Sequence, residues 1–325
     1  MSVHTIVLAA GEGSRMKSNR AKVLQRIGGS SMLHKICSTA AKISPKITLV
    51  VGFDKDSVIK EADEYGLEIS IAEQPKAIGT GDAVKCGLTK ISAESTVLIL
   101  YGDVPLIQEE TLQKLIERSN NSLSILTTML DNPYGYGRVK KDSDGNALSI
   151  VEEKDATDKE RQINEIFTGV LCGPKSLLEE GLSKINNNNA AGEFYLTDLI
   201  SIINEKGYKI KTYEASNNEV KGANNKIELA DLEVLYRKMK AVDLMNQGIT
   251  ISDPLRLDVR GDVKAGNDCS IDVNVILEGN ISLGDNVSIG PNTILKNVTI
   301  GNDSRIEAFS HIDGAEIGKS CVIGP

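Results

Sequence analysis

A strand-like apolar run, Ile6-Val7-Leu8-Ala9-Ala10, leads directly into Gly11, Gly13, Arg15 and Lys22. Glycines at a strand end let backbone N–H groups come close to a phosphate chain, because no Cβ intervenes. Arg15 and Lys22 place two fixed positive charges within a few residues of those amides. A triphosphate needs both, amides to cradle it and cations to neutralise it. Asp103 is a second chemical signal, standing after the apolar run Thr96-Val-Leu-Ile-Leu100 and next to Gly102. A carboxylate there suits Mg²⁺ beside phosphate oxygens. It suits a helix N-cap or a turn equally well. The third signal is Gln74-Pro-Lys-Ala-Ile-Gly79-Thr80-Gly81. Its glycines allow close backbone approach to a ligand, and the Gln74 amide has the donor–acceptor pair that a uracil edge needs. By itself that string is also a common turn.

Two better-known phosphate loops do not fit. A P-loop needs glycine before its Lys-Ser pair, and Met16 stands before Lys17-Ser18. A dinucleotide fingerprint needs a third small residue where Met16 stands. Glycine spacing alone therefore leaves an ordinary strand-to-helix turn open. Asp142-Ser-Asp-Gly145 begins like a calcium loop and places Glu153 at its twelfth position. Its flanks alternate like strands, which predicts a hairpin turn at Asp144-Gly145 instead.

The elements that must position these residues are legible in outline. Strand-like runs at Ile47-Thr-Leu-Val-Val51 and Thr96–Leu100 alternate with helical spacing, as from Ala83 to Lys90. Alternating β and α elements predict a mostly parallel sheet with helices on both faces. Ligands of such sheets bind beyond the carboxyl ends of the strands, where Gly11, Gly52 and Asp103 all fall. From Asn225 to Gly248 the pattern turns helical, with Ile227, Leu232, Leu235, Met239 and Val242 as the apolar stripe and Gly248 as the stop.

The rest of the chain repeats. Ile271, Leu277, Leu283, Ile289 and Leu295 recur every six residues, and after a one-residue slip come Ile300, Ile306, Ile312, Ile317 and Ile323. Small or β-branched residues such as Val275, Val287, Thr293, Ser304, Ser310 and Cys321 follow four positions after many of them. This is the hexapeptide pattern of a parallel β-helix. The chain stops mid-repeat at Gly324-Pro325, which predicts a shortened β-helix and self-association through the coils.

Composition narrows the function. The 325 residues suggest two domains and carry a net charge of −8, with no basic cluster to hold nucleic acid or a membrane surface. No apolar run is long enough to span a bilayer, and the N-terminus has no signal-peptide pattern. The five scattered cysteines read as free, buried thiols in a reducing cytoplasm, and the three histidines form no cluster.

The first motif resembles the sugar-nucleotide pyrophosphorylase signature L-A-A-G-x-G-[ST]-R-M-x-x-x-x-P-K, departing only at Ala21, where that family has proline. Followed by a hexapeptide β-helix, it makes the chain similar to the bacterial bifunctional N-acetylglucosamine-1-phosphate uridylyltransferase / glucosamine-1-phosphate acetyltransferases. Further motifs of the resemblance are Y-G-D-V-P-L, G-Y-G-R-V, I-V-E-E-K-D-A-T-D, N-N-N-N-A-A-G-E-F-Y-L-T-D and K-G-A-N-N-K. The resemblance implies an α/β fold: a Rossmann-like uridylyltransferase domain over residues 1–223, a linker helix over 224–248 and a truncated left-handed β-helix over 249–325. It implies catalytic Arg15 and Lys22, a nucleotide site at Leu8, Ala10, Gly11, Gln74, Gly79 and Thr80, and Mg²⁺ held by Asp103 and Asn224. It places the sugar at Tyr101, Gly102, Gly137, Glu152, Phe167, Tyr195 and Thr197. At Phe167 the family has asparagine, which bears on sugar specificity.

The implied reaction is transfer of UMP from UTP to N-acetylglucosamine 1-phosphate, with release of pyrophosphate, for peptidoglycan and lipopolysaccharide precursors. The implied setting is a cytoplasmic homotrimer assembled through the β-helix, with neither nucleic acid nor membrane as partner. The family's acetyltransferase site lies in later coils and a tail, so this chain is expected to lack that activity. A pyrophosphorylase for another sugar or nucleotide, and a non-catalytic sugar-nucleotide-binding assembly protein, remain as alternatives.

Overall fold

The structure, a computed structural model, describes residues 2–325 and divides into two compact units. The first comprises Met1–Gln25 and Ser31–Asn225, the second Arg26–Ser30 and Lys226–Pro325. The chain begins with β1 (Val3–Ala9), a short ribbon of β2 (Arg26–Ile27) and β3 (Ser30–Ser31), α1 (Met32–Ile43), β4 (Lys46–Val51) and α2 (Lys55–Asp63). It continues with β5 (Ile69–Glu73), α3 (Thr80–Leu88), β6 (Thr96–Tyr101), α4 (Glu109–Ser119) and β7 (Ser124–Met129). The hairpin β8 (Arg138–Lys141) and β9 (Ala147–Val151) precedes β10 (Glu165–Pro174), α5 (Lys175–Leu182), α6 (Asp198–Glu205) and β11 (Lys211–Glu214).

These strands form one nine-stranded sheet whose main path runs β11-β7-β10-β6-β1-β4-β5. β1 lies parallel to β4 and β6, and β4 parallel to β5. Only β10, antiparallel to β6 and β7, and the β8–β9 hairpin break the parallel pattern. The apolar run of β1 splits by the two-residue period of a strand. Ile6 and Leu8 join one apolar cluster with Val84 and Leu88 of α3 and Leu199 and Ile203 of α6. Val7 and Ala9 join the opposite cluster with Ile36 of α1, Val58 of α2 and Leu112 of α4. A strand buried on both faces reads as continuously apolar, which is why β1, β4 and β6 stood out in the sequence.

The hairpin turn at Asp144-Gly145 is present. Asp142 Oδ1 accepts the N–H groups of Asp144 at 2.9 Å and Asn146 at 2.8 Å, and Gly145 has φ +81°.

In the second unit, α7 (Lys226–Asn246) is followed by parallel coils. The helix buries Leu232, Tyr236, Ala241 and Leu244, whereas Ile227 and Val242 from the expected stripe are exposed. Leu232 of the expected stripe faces inward, and the rest of the buried face is Tyr236, Ala241 and Leu244, which that stripe does not include. Gly28 donates its N–H to Glu233 at 2.8 Å, and a Cβ there would overlap the Tyr236 ring. Gly28 is therefore a contact glycine for α7.

The coils stack in register. Ile271 pairs with Ile289, Ile289 with Ile306 and Ile306 with Ile323, giving steps of 18, 17 and 17 residues, or three hexads per coil. The step shortens at one corner. Where an earlier coil uses Gly279, Asn297 takes a left-handed conformation at φ +49°, and its Oδ1 accepts the N–H of Asn280 at 3.1 Å. Thr293, Ser304 and Ser310 are buried as the repeat predicts, while Ile312, Ile317 and Ile323 are half-buried.

No helix among the described residues is long and apolar enough to cross a membrane. All five cysteines are free. Cys37, Cys172 and Cys269 are buried as expected, and Cys86 and Cys321 only half-buried. Burial pushes the Cys37 and Cys172 thiols up to about 12, so neither is a thiolate at neutral pH.

Candidate active site

The parallel strands β1, β4 and β6 end at one edge, and there the residues that the resemblance assigns to the nucleotide meet Lys22 and Asp103. A cavity of about 300 Å³ is lined by Leu8, Ala10, Gly11, Gln74, Gly79 and Thr80, the whole nucleotide set. Lys22, Tyr101 and Asp103 also line it. Gly11 is exposed with open space where a Cβ would stand, so neighbouring packing does not require a glycine there. Gly13 is different. It sits at φ +65°, and a Cβ would come within 2.6 Å of the Lys22 Cβ. The glycine lets the loop fold back on the lysine stem.

Charge converges beside this cavity. The Lys22 ammonium pairs with the Asp103 carboxylate and donates to Asn224 Oδ1 at 3.1 Å. Arg15 donates to the same Asn224 oxygen at 3.0 Å. Lys22 and Asp103 are each 17% exposed, so this pair is more sheltered than a surface salt bridge. Gly222 lies against Asp103, where a Cβ would be 3.1 Å from its carbonyl oxygen and 3.5 Å from Oδ2. The glycine lets the chain that carries Asn224 close on the aspartate.

The loop that presents Lys22 is anchored although it lacks a proline. Ala21 is buried, has φ −50° and ψ 140°, and donates its N–H to Asp54 Oδ2 at 3.0 Å. The backbone already has proline-like angles, and the hydrogen bond supplies the restraint that a ring would give.

Two readings of the base-side loop change. The Gln74 amide does not offer a donor–acceptor pair. Its Nε2 donates to Gly79 O at 3.0 Å and to Asp82 Oδ2 at 2.9 Å, so its chemistry toward a ligand is that of the Oε1 acceptor. Gly79 and Gly81 answer first to packing. At φ +129°, a Gly79 Cβ would lie 2.4 Å from Phe194 O, and Gly81 donates its N–H to that oxygen at 2.9 Å.

The sugar-side residues divide. Tyr101 lines the first cavity, and burial raises its phenol above the ordinary range. Gly102 is packed against Val23 and the Leu8 carbonyl, to which it donates at 2.9 Å. Glu152 and Tyr195 line a second cavity of about 440 Å³ with Asp155 and Asp198. Thr197 donates to Glu152 Oε1 at 3.0 Å. Burial raises the Glu152 carboxyl, and the Asp198 and Asp155 charges push the same way. Gly137 lies beside it, where a Cβ would be 3.5 Å from Glu152 Oε1. Phe167 is buried in the apolar cluster with Ile150 and Leu196, and only its N–H reaches Gly137, at 2.9 Å to the carbonyl. Its side chain packs into that cluster and lines neither cavity.

Sequence reasoning missed two members of this region. Arg138 is only 2% exposed and pairs with Glu153. Glu153 stands out in the sequence only as the twelfth position of the calcium-loop pattern and within the I-V-E-E-K-D-A-T-D motif, and Arg138 only within the G-Y-G-R-V motif, because charged side chains ordinarily read as surface.

Comparison with known proteins covers these residues in part by a family model and almost throughout by relatives. The family model of the MobA-like NTP transferase domain covers residues 5–136. The chain is 44% identical over 315 residues to the bifunctional protein GlmU of Neisseria meningitidis serogroup A, covering 96% of this chain and 68% of the relative. It is 44% identical over 328 residues to that of Acinetobacter baumannii, covering 100% of this chain and 72% of the relative. A crystal structure from Bacillus anthracis, assigned as a glucose-1-phosphate thymidylyltransferase, superposes with a TM-score of 0.58 at 17% identity, over 73% of this chain and 96% of the other. At that identity the likeness shows the fold alone.

Proposed function

This chain belongs to the bifunctional GlmU family, and from that membership we propose that it transfers UMP from UTP to N-acetylglucosamine 1-phosphate. The family activity is nucleotidyl transfer to a sugar phosphate. The observation that carries the finer reading is the convergence of Lys22, Arg15, Asp103 and Asn224 beside the cavity lined by the nucleotide set. In the proposed reaction a phosphate oxygen of the sugar 1-phosphate attacks the α-phosphorus of UTP in line, and pyrophosphate leaves. The nucleophile is already anionic at neutral pH, so no general base is required. Positioning and charge neutralisation then supply the catalysis. Lys22 and Arg15 neutralise the α-phosphate and the departing pyrophosphate. Gln74 Oε1 accepts from the base, and Glu152 with Thr197 and Gly137 receives the sugar.

Asp103 and Asn224 offer one carboxylate and one carboxamide oxygen, hard donors of the kind Mg²⁺ takes when substrate phosphates complete its shell. Both oxygens already accept one ammonium, so they face a common position. The donor set fits a divalent cation, and we take it to be Mg²⁺. Bound there, the ion would offset phosphate charge.

We read 1–223 as the catalytic domain, 224–248 as the linker helix and the coils of 249–325 as the seat of a homotrimer. The product would serve peptidoglycan and lipopolysaccharide precursors in the cytoplasm. A substrate panel tests the reading. UTP with N-acetylglucosamine 1-phosphate should be preferred over dTTP and over glucose 1-phosphate. Preference for glucose 1-phosphate would overturn the sugar assignment.

A further inference from the structure

We propose that Arg138 and Glu153 form a positioning pair that holds the loop from Tyr134 to Gly137 against Glu152 and thereby sets the affinity for the sugar 1-phosphate. The inference rests on the sugar-phosphate reading above. It begins with a burial problem. Arg138 opens β8 and is only 2% exposed, and a guanidinium removed from water needs partners. Its Nη2 donates to Glu153 Oε2 at 2.6 Å, and its Nη1 donates to the Tyr136 carbonyl. Glu153 Oε2 also accepts the Gly135 N–H at 3.2 Å, and Glu153 Oε1 lies 3.3 Å from Arg161 Nε. The pair thus holds the loop backbone at both polarities, the N–H of Gly135 and the C=O of Tyr136. Tyr134 and Tyr136 of this loop are 76% and 45% exposed.

The register shows what the pair positions. Arg138 stands opposite Val151 in the antiparallel β8–β9 ladder. One rung on, Gly137 therefore faces Glu152. The fit is close, because a Cβ on Gly137 would lie 2.7 Å from Ile150 Cγ2 and 3.5 Å from Glu152 Oε1. Each member of the pair is thus the sequence neighbour of a residue on the sugar side. Arg138 follows Gly137, and Glu153 follows Glu152. Gly137 and Glu152 lie just outside the two strands and Glu153 begins the turn that follows, so the pair grips the loop backbone from positions adjoining the sugar-side residues. A sheltered ion pair is weak evidence of added stability, so the pair is assigned to holding the loop in place.

The test uses the 325-residue chain and initial rates of pyrophosphate release, varying UTP and N-acetylglucosamine 1-phosphate separately. Glu153→Ala should raise KM for the sugar phosphate roughly 10- to 100-fold, the loss expected of a charge-assisted hydrogen bond, with KM for UTP unchanged. Glu153→Gln, which keeps an acceptor for Gly135 and Arg138, should recover most of that loss. Arg138→Lys keeps the charge but not the fork and should resemble Glu153→Ala. If Glu153→Ala does not fold, the Gln and Lys variants carry the test. An unmoved sugar KM, or equal rises in both KM values, overturns the positioning role while an active wild type leaves the function standing. A wild type that releases no pyrophosphate from this substrate pair overturns both.

Discussion

The two units hold their polar groups in opposite ways. In the first, Asn224 accepts from Arg15 and Lys22, which stand 209 and 202 positions away in the chain. In the second, Asn274 bonds to Asn292 at a separation of 18, and Asn286 to Asp303 at 17. The ladder amides satisfy one another coil by coil, and their left-handed corners recur with them. The site residues concentrate two cations and a carboxylate at one strand edge, an arrangement better suited to charged phosphates than to the stability of the chain. Repetition builds the coils, and convergence builds the site.

The sharpest way to break this contrast is to remove charge from one region and volume from the other. Lys22→Ala should lower kcat roughly 100- to 1000-fold, the cost of losing one preorganised charge-stabilising group, with little change in Tm. Full activity would remove Lys22 from the chemistry. Leu277 is 0% exposed in the coils, and Leu277→Ala should cost about 2–5 kcal/mol of stability by leaving a cavity. Denaturant unfolding measures that loss, and kcat of the folded protein should not change.

Gly79→Ala sharpens the comparison, because Gly79 lies at the site yet is held by packing. Its φ of +129° and the Phe194 carbonyl beside it predict a loss of about 1–3 kcal/mol. Thermal unfolding reads that loss, and an unchanged Tm would reassign the glycine to ligand approach.

Acid should act least. The Arg138 hydrogen bond holds Glu153 below the usual carboxylate range, and the Lys140 hydrogen bond holds Glu160 there, at about 2. Groups more acidic in the folded state than unfolded stabilise above the unperturbed 4.5 and lose that contribution as pH falls toward 2. Tm should therefore decline across that window, and Glu160→Gln should flatten part of the decline.

What was legible in the sequence follows the same division. The coils were plain because one side-chain choice is repeated at every turn, and β1, β4 and β6 because burial on both faces makes a strand continuously apolar. The glycines, Lys22 and Asp103 showed themselves by lying just beyond such strands. The α7 face was legible at Leu232 and not at Ile227 and Val242, because Tyr236 and Ala241 turn inward in their place. The tether from Ala21 to Asp54 and the burial of Arg138 against Glu153 depend on contacts between separate segments, and the orientation of Gln74 depends on hydrogen bonds to Gly79 and Asp82 that no apolar periodicity marks.

The most direct test of the account is pyrophosphate release from UTP and N-acetylglucosamine 1-phosphate with Mg²⁺, comparing the wild type with Asp103→Ala. The account predicts release by the wild type that requires the cation and is lost in a folded Asp103→Ala protein. Equal release by the two proteins would contradict it, because the carboxylate paired with Lys22 would then have no part in the transfer.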